Sequence, residues 1–167
     1  YYNFTEFWVR EAMARAGLTG EVVVADNGST DGSAELAERA GARVVHASPR
    51  GYGAAYLAGI GAARGRCLVL GDADGTYDFD TVPEFVAALE RGSDVVLGSR
   101  FAGTILPGAM PWLHRYVGNP VLTGILGLFF GQRVSDAHCG LRAMTRAAAE
   151  RMRLRTSGME FASEMVA

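Results

Sequence analysis

Four short apolar runs recur along the chain, and each is continuous rather than alternating: Val22-Val23-Val24, Val44-Val45, Cys67-Leu68-Val69-Leu70 and Val95-Val96-Leu97. A strand with one wet face alternates apolar and polar residues, so unbroken runs mark strands covered on both faces. Helix-like segments separate them. Ser33 to Ala40 follows a turn, and Ala54 to Ala63 is rich in alanine. Thr81 to Glu90 opens with Thr81-Val82-Pro83-Glu84, the pattern of a capping box with proline in the first turn. Strand and helix in alternation predict an α/β fold, a mostly parallel sheet with helices on both faces. Phe4 to Ala16 reads as one more helix, ahead of the first visible strand, where a chain of this class more often opens with a strand. Gly158 to Ala167 reads as a helix stopped in mid-course. With 167 residues the chain is sized for a single domain with a real core.

In a parallel α/β sheet, ligands bind outside the carboxyl ends of the strands. Here every strand exit is polar and carries glycine. Asp26-Asn27-Gly28-Ser29 follows the first run, His46-Ala47-Ser48-Pro49-Arg50-Gly51-Tyr52-Gly53 the second, Gly71-Asp72-Ala73-Asp74 the third and Gly98-Ser99-Arg100 the fourth. One such exit is turn chemistry; four along one sheet edge read as one site. In extended backbone, residues i and i+2 point the same way, so Asp72 and Asp74 are placed to converge. Two carboxylates that close repel unless one is protonated or a cation lies between them. Mg²⁺ or Mn²⁺ would satisfy both and keep positions open for phosphate oxygens. A bare Asp-x-Asp is more often a solvated turn; its place directly after a buried strand is what shifts the reading toward the metal. Asp26 has two readings, a contact to a ligand base or ribose and an Asx turn feeding the next helix. Asp31 and Asp78 read as turn residues, and Asp80 as negative charge at a helix start.

Composition narrows the chemistry. All 16 basic residues are arginine. Without lysine there is no phosphate-loop NTPase and no Schiff base, and a phospho-receiver domain is disfavoured. Side-chain binding of an anion falls to arginine, and Arg100 and Arg115 are the candidates for phosphate. A net charge of −2 gives no general pull toward nucleic acid. Cys67 and Cys139 are too few for a disulfide framework, and His138 with Cys139 lacks the second ligand pair a zinc site needs. No secretory signal or twenty-residue apolar span is visible.

From Val95 to Ser135 there is no aspartate or glutamate, and Tyr116 to Gln132 carries no formal charge. That stretch reads either as an amphipathic segment lying on a membrane surface or an apolar ligand, or as a core helix pair. Beyond it comes Ser135-Asp136-Ala137-His138-Cys139-Gly140-Leu141-Arg142, a polar cluster in which Asp136 is a candidate base or orienting group. The plainer reading is a loop closing the domain.

Five motifs stand in one order and spacing: Asp26 to Ser33, Arg50 to Ala55, Asp72-Ala73-Asp74, Gly98-Ser99-Arg100 and Ser135 to Arg142. In these the chain resembles the family 2 inverting glycosyltransferases of GT-A fold. Within them it is similar to the bacterial polyprenyl-phosphate glycosyltransferases, relatives of dolichol-phosphate mannose synthase. The resemblance runs from about Gly20 to the end and implies a Rossmann-like sheet whose first strand is not found ahead of Gly20. It implies a partial catalytic domain, residues 1–98 binding the nucleotide-sugar and residues 99–167 serving the acceptor side.

The donor-binding set that the resemblance implies is Asp26, Asn27, Gly51, Gly53, Asp72, Ala73 and Asp74, with Mg²⁺ or Mn²⁺ on Asp72 and Asp74. Arg100 and Arg115 would bind the lipid phosphate, and Asp136 matches the base of relatives that glycosylate hydroxyls. A phosphate acceptor is already ionised near neutral pH, so Asp136 is expected to orient the acceptor or Arg142 rather than remove a proton. Tyr52 stands where many relatives have lysine, and Thr76 where they often have glutamine. The implied partners are a nucleotide-sugar donor, a polyprenyl phosphate and a membrane surface, with no nucleic acid. The implied location is the cytoplasmic face of the cell membrane, with membrane helices following in many relatives. The alternatives are a sugar-nucleotide-forming nucleotidyltransferase, which the missing lysine and phosphate loop disfavour, a non-catalytic fragment that binds nucleotide-sugar, and a transferase to a soluble acceptor.

Overall fold

The computed structural model describes residues 2–99 and 139–166. Helix α1 (Tyr2–Arg15) precedes β1 (Val23–Asp26), α2 (Ser33–Arg39), β2 (Arg43–His46), α3 (Tyr52–Ala62) and β3 (Cys67–Leu70). A 3₁₀ turn (Phe79–Thr81) then leads into α4 (Val82–Glu90) and β4 (Val95–Leu97). After the undescribed stretch come β5 (Arg142–Thr145), α5 (Arg146–Met152) and the short α6 (Phe161–Glu164). The four apolar runs are the four strands β1 to β4. Arg100, Arg115, Asp136, His138 and the uncharged stretch Tyr116 to Gln132 lie outside the described residues.

The strands form two sheets among the described residues. β1 and β2 pair in parallel, Val23 opposite Arg43 and Asp26 opposite His46. The second sheet has the order β3-β5-β4, with β5 antiparallel to both neighbours. β3 and β4 are therefore parallel to each other, and β5 is the exception. Its register places Arg142 opposite both Leu70 and Leu97. An antiparallel strand begins where its neighbours end, so Cys139-Gly140-Leu141 arrives at the same edge as Gly71-Asp72 and Gly98-Ser99. The Gly98 amide donates to the Leu141 carbonyl at 2.9 Å. What reads as a loop closing the domain thus runs into a central strand.

Helices cover both faces of this sheet. Leu68 and Leu70 of β3 and Met144 of β5 meet Tyr56, Leu57 and Ile60 of α3, Ala148 of α5, and Phe161 and Met165. On the other face Val69 and Leu141 meet Phe79, Val82, Phe85 and Val86, with Val9 and Met13 of α1 behind them. Adjacent residues Leu68 and Val69 are both apolar because each serves a different core.

Two helix starts differ from the sequence pattern. Thr81 makes no side-chain cap; its hydroxyl donates to the Asp78 carbonyl at 2.7 Å. Asp78 caps the 3₁₀ turn by accepting from the Asp80 amide at 3.0 Å. The capping box is not formed because the Thr81 amide also turns back to the Asp78 carbonyl, at 3.4 Å. Asp80 instead pairs with Arg15. Asp31 behaves as the turn residue it resembles, accepting from the Ser33 amide at 3.1 Å. At the other end of the chain the expected single helix is a bend and turn over Gly158 to Glu160 followed by the four-residue α6. Glu164 draws this bend closed, accepting from the amides of Arg155 at 3.0 Å and Thr156 at 3.0 Å.

Candidate functional site

The first exit is an Asx turn. Asp26, buried at the end of β1, accepts from the Gly28 amide at 3.2 Å and the Ser29 amide at 3.0 Å. His46 Nδ1, on the neighbouring strand, lies 3.3 Å from its Oδ2. The Ser29 hydroxyl and amide, then the Gly28 amide and His46, hold the carboxyl down to about 2 against the opposing effect of burial. The local turn seen as one of two readings in the sequence is present. Because the folded pKa lies below the ordinary carboxylate value of 3.8, the stabilisation is complete above pH 3.8 and is lost as pH falls toward 2. Asp26→Asn is therefore expected to remove about 1–2 kcal/mol from the acid limb of the stability curve between about pH 4 and pH 2, read from urea midpoints.

Asn27 ties the first exit to the second. Its Oδ1 accepts from the Gly51 amide at 2.7 Å, and its Nδ2 donates to the carbonyls of Ala47 at 3.1 Å and Pro49 at 3.3 Å. Gly51 and Gly53 in turn receive the chain's C-terminal bend. The Gly53 amide donates to the Gly158 carbonyl at 3.2 Å and the Ala54 amide to the Ser157 carbonyl at 3.0 Å. A Cβ on Gly51 would lie 2.2 Å from the Ser157 carbonyl oxygen, and one on Gly53 would lie 2.2 Å from that of Thr156. Both glycines permit close approach of backbone, and the Gly53 and Ala54 amides near the start of α3 find their acceptors within the protein.

The third exit holds the acidic pair. β3 ends at Leu70 and the chain bends over Ala73 to Gly75, so the two carboxylates occupy different settings. Asp72 is half-buried. Its Oδ1 accepts from the Tyr56 hydroxyl at 2.6 Å and its Oδ2 from the Tyr77 hydroxyl at 3.4 Å. The Gly140 amide donates to that same Tyr77 oxygen at 2.9 Å. Asp74 is exposed, its Oδ1 accepting from the Thr76 amide at 2.9 Å. Ala73 lies half-buried between them. Among the described residues no cluster of three or more histidine, cysteine, aspartate or glutamate side chains exists. Two hard oxygen donors at a strand exit, one of them exposed, fit Mg²⁺ or Mn²⁺ that draws its remaining ligands from phosphate and water.

Tyr52 brings an aromatic ring to the start of α3. Its centroid is 4.8 Å from that of Tyr56, which stacks on Phe161 at 5.4 Å. Burial, and then the bond to Asp72, pushes the Tyr56 phenol far above its ordinary value, so it remains a donor. Arg142 lies beneath, 3% exposed, donating to the carbonyls of Cys139 at 2.8 Å and Ala162 at 2.9 Å. Burial lowers its pKa from the usual arginine value. Tyr52, Tyr56, Gly140, Arg142 and Phe161 line one narrow crevice. The sequence reading named Asp72 but neither Tyr56 nor Tyr77. A signal was available for Tyr56: Tyr52 and Tyr56 stand four residues apart in a helix otherwise built of small and aliphatic residues, hence on one face. A buried tyrosine hydroxyl needs a partner.

Glycine-bearing strand exits and an acidic pair at the carboxyl edge of an α/β fold mark that edge as the candidate ligand site. Residues 9–153 match the family model described as Glycosyl transferase family 2, and the chain belongs to that family. It is 48% identical over 160 residues to the low-salt glycan biosynthesis hexosyltransferase Agl6 of Haloferax volcanii, a match covering 95% of this chain and 38% of that protein. It is 38% identical over 128 residues to a dolichyl-phosphate hexose transferase of the same organism, covering 75% of this chain and 54% of that one. The chain thus spans about half or less of the length of these relatives. Among solved structures, glucosyl-3-phosphoglycerate synthase from Mycobacterium tuberculosis, in complex with Mn²⁺, UDP-glucose and phosphoglyceric acid, matches with a TM-score of 0.64 and 26% identity. That match covers 87% of this chain and 54% of that one and shows the glycosyltransferase fold. No helix among the described residues is long and apolar enough to cross a membrane.

Proposed function

We propose that this protein transfers a hexose, with inversion, from a UDP- or GDP-sugar to a polyprenyl phosphate at the cytoplasmic face of the membrane. The observation that carries the reading is the meeting of β3 and β5 at one edge. It sets Asp72 beside Gly140, through Tyr77, which supports a reading in which the donor-side and acceptor-side motifs serve one site. The names of the hexosyltransferase and dolichyl-phosphate hexose transferase relatives support the class of sugar and acceptor.

In this reading an acceptor phosphate oxygen attacks the anomeric carbon, the bond to the nucleoside diphosphate breaks, and the diphosphate leaves with its electron pair. The acceptor is ionised at neutral pH, so the demanding tasks are holding two anions together and stabilising the leaving group. Arg100 and Arg115 take the acceptor phosphate, and Asp136 orients it or Arg142. Asp26 and Asn27 serve the nucleoside end, and Gly51 and Gly53 shape the donor pocket through the loop they anchor. Asp72 and Asp74 would hold Mg²⁺ or Mn²⁺, whose chemistry there is neutralising charge on the diphosphate.

The test is calorimetric titration with UDP-glucose and GDP-mannose, each with Mn²⁺ and with EDTA. One donor is expected to bind, and to bind tighter with the metal; no metal dependence for either overturns the reading. A second reading, a soluble phosphorylated acceptor, is favoured by the likeness to glucosyl-3-phosphoglycerate synthase. Flotation with liposomes containing polyprenyl phosphate, lost on Trp112→Ala and Arg115→Ala, selects the lipid; no flotation selects the soluble acceptor.

A further inference from the structure

Asp72 is held on both oxygens by uncharged donors from two different parts of the fold. Tyr56 comes from the middle of α3 and reaches Oδ1 at 2.6 Å. Tyr77 comes from the loop after β3 and reaches Oδ2 at 3.4 Å. Each tyrosine is itself fixed. Tyr56 is packed between Tyr52 and Phe161. The Tyr77 oxygen accepts from the Gly140 amide at 2.9 Å, which directs its proton toward Asp72. Gly140 has no room for a side chain here, since a Cβ would lie 2.5 Å from Asp72 Oδ2 and 2.7 Å from the Tyr77 hydroxyl.

The choice of donor matters. An arginine on Asp72 would orient it but also neutralise it and compete with a metal cation. A phenol orients the carboxylate and leaves its charge in place. A carboxylate has about four lone-pair positions, so phenol donors on its two oxygens leave capacity for a further ligand. Asp74 is exposed, and its Oδ1 accepts from the nearby Thr76 amide. The network also runs outward. Gly51, at the start of α3, is bonded to Asn27, and Tyr56 lies further along the same helix. α3 therefore connects the β1 exit to the acidic pair.

We infer that Tyr56 and Tyr77 are positioning residues that hold Asp72 in the orientation from which it binds a divalent cation together with a nucleoside diphosphate. The inference rests on the proposed metal role of Asp72 and Asp74. Outer groups that orient a metal ligand typically change metal affinity by about 10–100-fold when removed. Tyr56→Phe keeps the ring and deletes one oxygen; Tyr77→Phe is the independent second variant.

The measurement is Mn²⁺ binding in the presence of UDP, followed by loss of the free-ion EPR signal, with metal-free UDP affinity and thermal unfolding recorded alongside. Mn²⁺ affinity is expected to fall about tenfold in Tyr56→Phe, and in the same direction in Tyr77→Phe, with metal-free UDP affinity unchanged. Mn²⁺ affinity within about twofold of the parent in both variants overturns the inference. So does a parallel loss of metal-free UDP binding, which marks a general structural role. Asp74→Asn separates the two levels. If it abolishes Mn²⁺ binding while both phenylalanine variants retain it, the tyrosine roles alone are wrong. If Mn²⁺ binding survives Asp74→Asn, or is absent in the parent, the metal reading fails and takes this inference with it.

Discussion

Asp74→Asn is expected to weaken metal-dependent donor binding by more than about a hundredfold, since losing a metal ligand should exceed the effect of losing a group that merely orients one. The substitution is close to isosteric. The amide oxygen can still accept from the Thr76 amide, so the bend after β3 has no reason to change. The side chain is exposed, so folding stability should move little. What disappears is one negative charge beside Asp72. In the absence of metal that charge repels a diphosphate, and its removal should leave metal-free UDP binding equal or slightly tighter. With metal the sign reverses, because a hard cation prefers a carboxylate to a neutral amide oxygen. Isothermal titration with UDP in Mn²⁺ and in EDTA reads both quantities. Equal losses in both buffers would mean that Asp74 shapes the pocket and holds no cation.

The strands and the acidic exit were legible because their signals are local. An apolar run bounded by glycine and aspartate needs no knowledge of the rest of the chain. β5 was not legible for the opposite reason. Its sequence, Arg142-Ala143-Met144-Thr145, has one strongly apolar residue and begins with a charge. It is a strand because β3 and β4 flank it and because Arg142 finds backbone carbonyls at Cys139 and Ala162. Cys139 is three residues upstream, but Ala162 lies 20 residues on, in α6, beyond the reach of a local sequence pattern. The capping pattern Thr81-Val82-Pro83-Glu84 misled for a related reason. Asp78, three residues upstream, offers a competing turn, and the chain takes it.

The site divides the same way. Asp72 and Asp74 could be picked out from type and placement. The partners of Asp72 are harder to read: the spacing of Tyr52 and Tyr56 marks a helix face, but what Tyr56 reaches is decided only when α3 is laid against β3. Asn27 has a structural task that its residue type does not announce: its amide bonds to backbone at Ala47, Pro49 and Gly51 and ties the first exit to the second.

Gly53→Ala reverses an ordinary expectation. In a helix, alanine is favoured over glycine by about 1 kcal/mol, and Gly53 is the second residue of α3. Against this, the new methyl would lie 2.2 Å from the Thr156 carbonyl oxygen, 2.8 Å from Phe161 Cβ and 3.0 Å from the Ser157 carbonyl carbon. Two of these three atoms are backbone and cannot swing aside. Overpacking of this kind costs about 1–3 kcal/mol, and displacing the bend also breaks the bonds from Gly53 to Gly158 and Ala54 to Ser157. The steric effect wins, and a net loss of about 2–3 kcal/mol is expected, roughly 5–10 °C in thermal midpoint. Hydrogen exchange should locate the damage, with protection lost from Thr156 to Glu164 and at Gly53 and Ala54 while β1 and β2 are spared. Gly61→Ala is the internal control. It lies in the same helix, and a Cβ there would meet nothing within 4 Å. That substitution should stabilise, by about 0.5–1 kcal/mol, through helix propensity and reduced freedom of the unfolded chain. Opposite signs from one chemical change in one helix would show that the glycine at position 53 is there for the C-terminal bend. Equal signs would mean that the bend does not press on α3 as closely as these distances require.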